Sequence, residues 1–523
     1  MSHRVDPTGD AWLLPRMAAP QPDAFARVTH RFAAAGKLAA AQSILGWDAQ
    51  THMPSGGAWA RGEVTAAITE VSVDLVGSAA ASDELDEAEA MAGALADDER
   101  ADLFEMRRRH THAAAAPKEL QAEHIRLAQA LQATWRTAKP ESDFARWAPG
   151  FGEMLKITRE IAQAKAEALG TSPYSALIDA YDPGVSEAAI DPIFAELTAF
   201  LPGVITDVRE RQAAWPAPIP FGPASVEQQA ALSRRLALAI GHNPNHFRID
   251  VAPHPFSAPH SPGDVRFTTR YDEANVRFAI FATLHEAGHS RYEFNLPRGF
   301  AFRPAGEARG MTVHESQSLS LEKYAGRSRE FLGFLAGLMA EAFGGDAERW
   351  SRLNVLSTVR RLDDGFIRVE ADELSYPLHV ILRYRLEQAL MTGDLQVQDI
   401  PGAWNELFAK LLGRTPPDLA HGCLQDIHWS AGLLGYFPNY AMGSMLAAQL
   451  FERATAESPE ILPALAQGDF TPYFAWVRPR VHERASFVDF ATLVGDATGA
   501  ALSAEAYKRH ARRRYLEEPL GAA

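Results

Sequence analysis

Apolar residues recur at helical spacing through most of the chain. Alanine-rich stretches with charges three and four positions apart run from Asp23 to Ala41, from Ser82 to Ala138 with a break at Pro117, and from Phe151 to Leu169. That spacing lays one apolar stripe along a helix. Proline punctuation peaks at Trp215–Pro223, where Pro216, Pro218, Pro220 and Pro223 mark a loop between helical blocks. Next comes the one segment where β-branched and aromatic residues alternate or cluster. FRIDVAPHPF and DVRFTTRY, separated by SAPHSPG, predict a β-hairpin. Helical patterning resumes near Asn275 and continues to the end. The expected fold is mainly α with a small sheet near the middle. It forms a single unit over 1–523, with a helical part to about 215 and a second part from about 240.

Composition narrows the picture. With 47% hydrophobic and 22% charged residues among 523, a sizeable core is available and global disorder is excluded. Cys423 is the one cysteine, so no internal disulfide forms and a reducing, cytoplasmic setting is expected. The formal charge of −15 opposes non-specific binding to nucleic acid or anionic membrane. The basic cluster Lys508–Arg514 reads as the solvated face of a last helix. The first residues, Met1–Met17, carry charges and prolines where a signal peptide needs an apolar run. Trp429–Phe451 is free of charge over 23 residues but contains Gly432, Gly435, Pro438, Asn439, Gly443 and Gln449. So many breakers and amides suit buried interior lining a cavity, not a lipid-exposed helix.

The chemistry concentrates in FAIFATLHEAGHSRYEF. His285, Glu286 and His289 form H-E-x-x-H behind a helix-like apolar lead-in of Val276, Phe278, Ile280, Phe281 and Leu284. Positions i and i+4 lie about 40° apart on a helix, so both imidazoles project from one face and can grip one ion. Glu286 falls in the same turn, placed to reach an attacking water and not the ion. A catalytic site needs a third protein ligand and an open position. A metzincin would have glycine at 292 and histidine at 295; Tyr292 and Asn295 exclude that class. Glu293, Glu307, Glu315 and Glu322 lie downstream. Glu315 is favoured because it follows the turn-rich crossover 296–309 and opens the patterned run HESQSLSLEKY; the other three stay open.

HEAGH followed by HESQS, with 30 residues from His285 to Glu315, resembles the carboxypeptidase Taq family of zinc metallocarboxypeptidases. LGWDAQTHMP, HPF, DVRFT, IRVEAD, GCLQDIHW and GYFPNY match in family order from residue 45 to 440. The resemblance implies one zinc ion per chain on His285, His289 and Glu315, replaceable by cobalt, with Glu286 as general base and acid. It also implies a large helical body with a deep groove, the N-terminal part covering it. Broad-specificity removal of single residues from peptide C-termini, a cytoplasmic setting and a homodimer complete the expectation.

Other residues can be read for chemistry beside that likeness. Peptide hydrolysis develops an oxyanion that needs a donor besides the metal. His428 and Tyr440, in the charge-free stretch or next to it, are the candidates, and their spacing is similar to the pair of thimet-type oligopeptidases. A carboxypeptidase also needs a cation for the terminal carboxylate. Arg368 is expected to supply it, with Arg360 and Arg361 as alternates in one helical stretch. His254, Arg266 and Tyr436 are expected to contact peptide, with Asp264 beside Arg266 in the hairpin. Trp47, Asp48 and His52 match the family and read as packing residues. Two rival functions share these features: an oligopeptidase cutting internal bonds, and an idle helical scaffold that keeps a metal for stability. Glu286 argues against the scaffold, since a purely structural site has no use for a base.

Overall fold

The computed structural model describes residues 23–261 and 263–520, so the Met1–Met17 segment lies outside the described residues. Helices α1 (Asp23–Thr51), α2 (Ala58–Gly77), α3 (Ala79–Ala90) and α4 (Asp97–Ala114) form the first group. The stretch expected as one helix broken at Pro117 is three helices: α3, α4 and α5 (Lys118–Ala138). The extra break precedes Asp97, Asp98 and Glu99, whose charges suit the positive end of a new helix. Phe25, Val28, Phe32, Leu85, Leu103 and Met106 give this group a small core of its own. Charge ties it to the rest. Asp102 accepts from Arg303 and from the Ala305 amide, Arg309 donates to Glu105, and Arg109 donates to Glu307.

Helices α5, α6 (Phe144–Leu169), α7 (Pro173–Asp179), α8 (Glu187–Gln212) and α9 (Val226–Ala239) share one large core with nearly everything downstream. The sheet contains β1 (Phe247–Val251), β2 (Ser257–Ser261) and β3 (Asp264–Thr269) in the order β1-β3-β2. This corrects the expected hairpin. FRIDV pairs parallel with β3, and the segment read as a turn contains β2, which pairs antiparallel with β3. Pro259 hides the strand from sequence reading, because proline donates no ladder bond and is tolerated only at an edge. Ala258 and His260 point inward on this edge strand.

Helix α10 (Val276–Phe294) carries the H-E-x-x-H motif. Two short 3₁₀ turns, Arg298–Phe300 and Pro304–Gly306, lead back to α11 (Met311–Leu319), which runs on into a π-helical turn at Ser320–Ala325. Helices α12 (Arg329–Phe343), α13 (Arg352–Arg360), α14 (Tyr376–Thr392) and α15 (Ile400–Leu412) precede α16 (Pro438–Glu457), which begins inside the charge-free stretch and is buried through most of the part that lies within it. Two glycines set the spacing here. A Cβ on Gly288 would lie 2.5 Å from the Gln317 carbonyl oxygen, and one on Gly443 would lie 2.8 Å from the Glu315 Cβ.

Buried polar struts fix the loops around this centre. Glu387 on α14 accepts from Tyr174 Oη at 2.6 Å, and from Trp429 Nε1 and the Gly435 amide, both at 2.8 Å. Burial pushes its carboxyl up to about 7. The loop entering α16 is held by those bonds. The C-terminal basic cluster departs from the expected solvated face. Arg509 pairs with Glu452 outside, but Arg514 is buried and donates to Glu373 at 2.9 Å. A charge run does not reveal a buried carboxylate waiting on another element.

Candidate metal centre

Helices α10 and α11 meet antiparallel, and their facing stripes pair rung by rung. His285, His289 and Glu293 recur every four residues on α10. His285 Nδ1 lies 3.0 Å from Glu322 Oε2, His289 Nε2 lies 3.3 Å from Glu315 Oε2, and Glu293 Oε1 lies 2.7 Å from His314 Nε2. Glu315 and Glu322 are seven residues apart, two turns, so both face α10. His285, His289 and Glu315 each offer one atom, and these atoms lie within 4.8 Å of one another. Two imidazole nitrogens and one carboxylate oxygen, convergent and buried on one side, fit a divalent first-row ion with a position left open.

Charge and burial polarise the two histidines in opposite directions. Burial would lower both; for His285 the Glu315 and Glu322 carboxylates outweigh it and push the imidazole up to about 9. His289 falls to about 4, because burial adds to the fields of His314 and His285. Glu286 is 6% exposed, and burial raises its carboxyl to about 7. His285, Glu286, His289, His314 and Glu315 open onto a cavity of about 660 Å³. Its walls come from α1 (Gly36, Ala39, Ala40), from edge strand β2, from the crossover, and from Tyr436 and Tyr440.

The comparisons agree with this geometry. The family model described as carboxypeptidase Taq (M32) metallopeptidase matches residues 27–515. The chain belongs to that family. Thermostable carboxypeptidase 1 of Thermus thermophilus is 34% identical over 508 residues, covering 94% of this chain and 97% of that protein. Carboxypeptidase 1 of Bacillus subtilis is 31% identical over 463 residues, covering 88% and 92%. Among solved structures, Trypanosoma cruzi metallocarboxypeptidase 1 superposes with a TM-score of 0.92 at 34% identity, covering 94% of this chain and 99% of that one. The M32 carboxypeptidase of Deinococcus radiodurans R1 gives 0.89 at 29% identity, with the same coverage. The M32 chain is therefore a hydrolase of the metallocarboxypeptidase type, and membership implies a divalent metal.

Within this M32 fold the expected site residues divide into two groups. His285, Glu286, His289, Glu315, Tyr436 and Tyr440 line the cavity. His428 lies behind Tyr440, its Nε2 3.1 Å from the phenol oxygen. The remaining residues are not among the lining side chains. His254 is exposed between β1 and β2. Arg266 forms a two-bonded pair with Asp264 at 2.7 and 2.6 Å and leans over Trp47. The three arginines do not share a helix. Arg360 ends α13 and pairs with Glu518 at 2.6 Å; Arg361 donates to the Gln212 and Pro216 carbonyls; Arg368 sits in a 3₁₀ turn beyond the intervening loop.

Arg368 is tied into a buried charge network. It is 4% exposed, and its guanidinium donates to Asp426 Oδ1 at 2.8 and 3.1 Å and to Tyr376 Oη at 3.1 Å. Arg383 donates to the other Asp426 oxygen at 2.6 Å. Arg368 is not among the lining side chains; its guanidinium carbon lies 4.7 Å from the centre of the Tyr440 ring. Sequence reasoning missed Asp426, Arg383 and Tyr376, although GCLQDIHW displayed the aspartate. Nothing local showed that two arginines from other elements converge on it. Replacing Asp426 with alanine strands two buried guanidinium groups, and breaking such a pair costs roughly 3–5 kcal/mol. Urea unfolding of Asp426→Ala should register that loss; a change below about 1 kcal/mol would show the two arginines have other compensation.

Proposed function

We propose that the protein is a zinc-dependent carboxypeptidase that releases amino acids one at a time from peptide C-termini with broad side-chain tolerance. The observation that carries this reading is the His285–His289–Glu315 cluster at the cavity wall with the buried Glu286 beside it. Those three residues would hold the ion, and cobalt, which accepts the same nitrogen and carboxylate donors, would substitute. The bound ion supplies Lewis acidity to the scissile carbonyl and the water. Glu286 takes a proton from the attacking water and returns it to the leaving amine. Tyr440, hydrogen-bonded to His428, donates to the oxyanion that develops on the carbonyl.

The walls position the peptide. Residues 257, 259, 260 and 261 of edge strand β2 face the cavity, so an extended peptide can add alongside as a further strand. Small or apolar lining at Gly36, Ala39, Ala40 and Ala308 imposes little side-chain selection. Among the described residues, no lysine or arginine is a lining side chain. The charge that favours a terminal carboxylate comes instead from behind the tyrosines. Arg368 and Arg383 outnumber Asp426 by one positive charge in a low-dielectric surround. Tyr436 offers a hydroxyl in front of that field.

Glu286→Gln should retain zinc and fold while kcat falls by about 10²–10⁴. Metal analysis and steady-state kinetics on the same preparation decide it. Near-normal turnover in the metal-replete variant would remove Glu286 from the chemistry.

Peptide ends give the second test. Mass spectrometry of products from a mixed peptide set, with and without chelator, should show single-residue trimming from the C-terminus only in the metal-loaded enzyme. C-terminal amidation should lower kcat/KM by at least roughly tenfold, the effect of losing one charge-assisted contact, while N-terminal acetylation should change it little. Equal cutting of amidated peptides at internal bonds would establish the oligopeptidase reading in its place.

We further propose a cytoplasmic homodimer. The lone, buried Cys423 suits a reducing compartment. Helix α2 buries none of its residues, and Trp59 is 78% exposed, with Val64 and Val71 further along the helix. Exposed apolar side chains on an unburied helix fit contact with a second copy of the chain. Light scattering should give a dimer for the wild type and a monomer for Trp59→Glu; a dimer in both would place the interface elsewhere.

A further inference from the structure

The two histidines of the metal cluster are held from behind in different ways. His285 Nδ1 faces a carboxylate directly, Glu322 Oε2 at 3.0 Å. His289 Nδ1 faces another imidazole, His314 Nδ1, at 2.6 Å, and His314 Nε2 in turn faces Glu293 Oε1 at 2.7 Å. We propose that Glu293 and His314 are positioning residues that select the tautomer of His289 and thereby set the affinity of the site for its metal. The inference rests on His289 being a metal ligand, as argued above.

A neutral imidazole carries one N–H. His289 can present a lone pair on Nε2, the atom 3.3 Å from Glu315, only if its hydrogen sits on Nδ1. That hydrogen then points at His314 Nδ1, which must accept it. His314 must therefore carry its own hydrogen on Nε2, aimed at Glu293. A carboxylate can only accept, so Glu293 fixes the direction of the whole row. Without it the row can run backwards, with His314 donating to His289 Nδ1 and the His289 hydrogen moved onto Nε2. The ligand lone pair would then be lost.

Packing of the two helices does not rest on this pair alone. Both line the cavity, their side chains 13% and 17% exposed, and α10 and α11 are packed by Gly288 and the apolar residues between the rungs. Partners behind a metal-bound histidine typically change metal affinity by 10–100-fold when removed. Glu293 and His314 would act at that level, since among the described residues the partner of His289 Nδ1 is His314.

The test reads zinc binding directly, by competition of the metal-free protein against a chromophoric chelator. Glu293→Leu and His314→Leu should each weaken zinc about 10–100-fold. Glu293→Gln, whose amide can either accept or donate and so no longer fixes the direction, should fall between the wild type and Glu293→Leu, a graded loss that a pure bulk effect would not produce. Zinc affinity unchanged in Glu293→Leu would overturn the proposal, whereas a wild type that binds no zinc would instead defeat the metal reading on which it rests. Should the leucine variants fail to fold, ¹⁵N spectra of histidine-labelled wild type with zinc decide the matter. They should show His314 with its hydrogen on Nε2; a hydrogen on Nδ1 would overturn the assignment.

Discussion

Helices α10 and α11 approach until backbone meets backbone, and the site's geometry follows from that contact. Gly288 permits it, since any side chain there would strike the Gln317 carbonyl, and Gly443 lets α16 close in over Glu315 from the other side. At that separation the side chains of the two facing stripes meet directly. Titratable groups on the facing stripes then find partners across the gap: His285 with Glu322, His289 with Glu315 and His314, Glu293 with His314. The spacing that makes a metal cluster possible is the same spacing that keeps these buried charges paired. Wider packing would leave Glu315 in low dielectric without its histidine partners, a state proteins avoid because an isolated buried charge costs several kcal/mol.

A second column of charge stands behind the opposite wall. Asp426 is shared by Arg368 and Arg383, and the guanidinium of Arg368 backs the ring of Tyr440 while donating to Tyr376. The cavity therefore presents tyrosines, with the cations one layer deeper. That layering excludes water from the arginines and holds the phenols rigidly, and it leaves a net positive field where negative charge must be accommodated. Glu387 fixes the loop that brings His428 and Tyr436 to this wall by accepting three hydrogen bonds at once.

How much of this the sequence by itself determined depends on distance along the chain. The helical character, the H-E-x-x-H grip and the buried nature of the charge-free stretch are legible because each is a local periodicity. Positions four apart share a helix face whatever the rest of the chain does. The family resemblance was legible for a different reason, several short motifs in one order.

What only the tertiary structure decided is every pairing between elements. Spacing alone left four glutamates open as partners for His285 and His289, and the fold brought Glu315 and Glu322 to different nitrogens. The sequence displayed Arg368 as a free cation, yet the fold buried it against Asp426, 58 residues away. It displayed SAPHSPG as a turn, yet β3 recruited its first five residues as an edge strand. A side chain's chemistry is written in its own residue, but its protonation, partner and reach are set by whatever the chain folds against it, and that contact has no local signature.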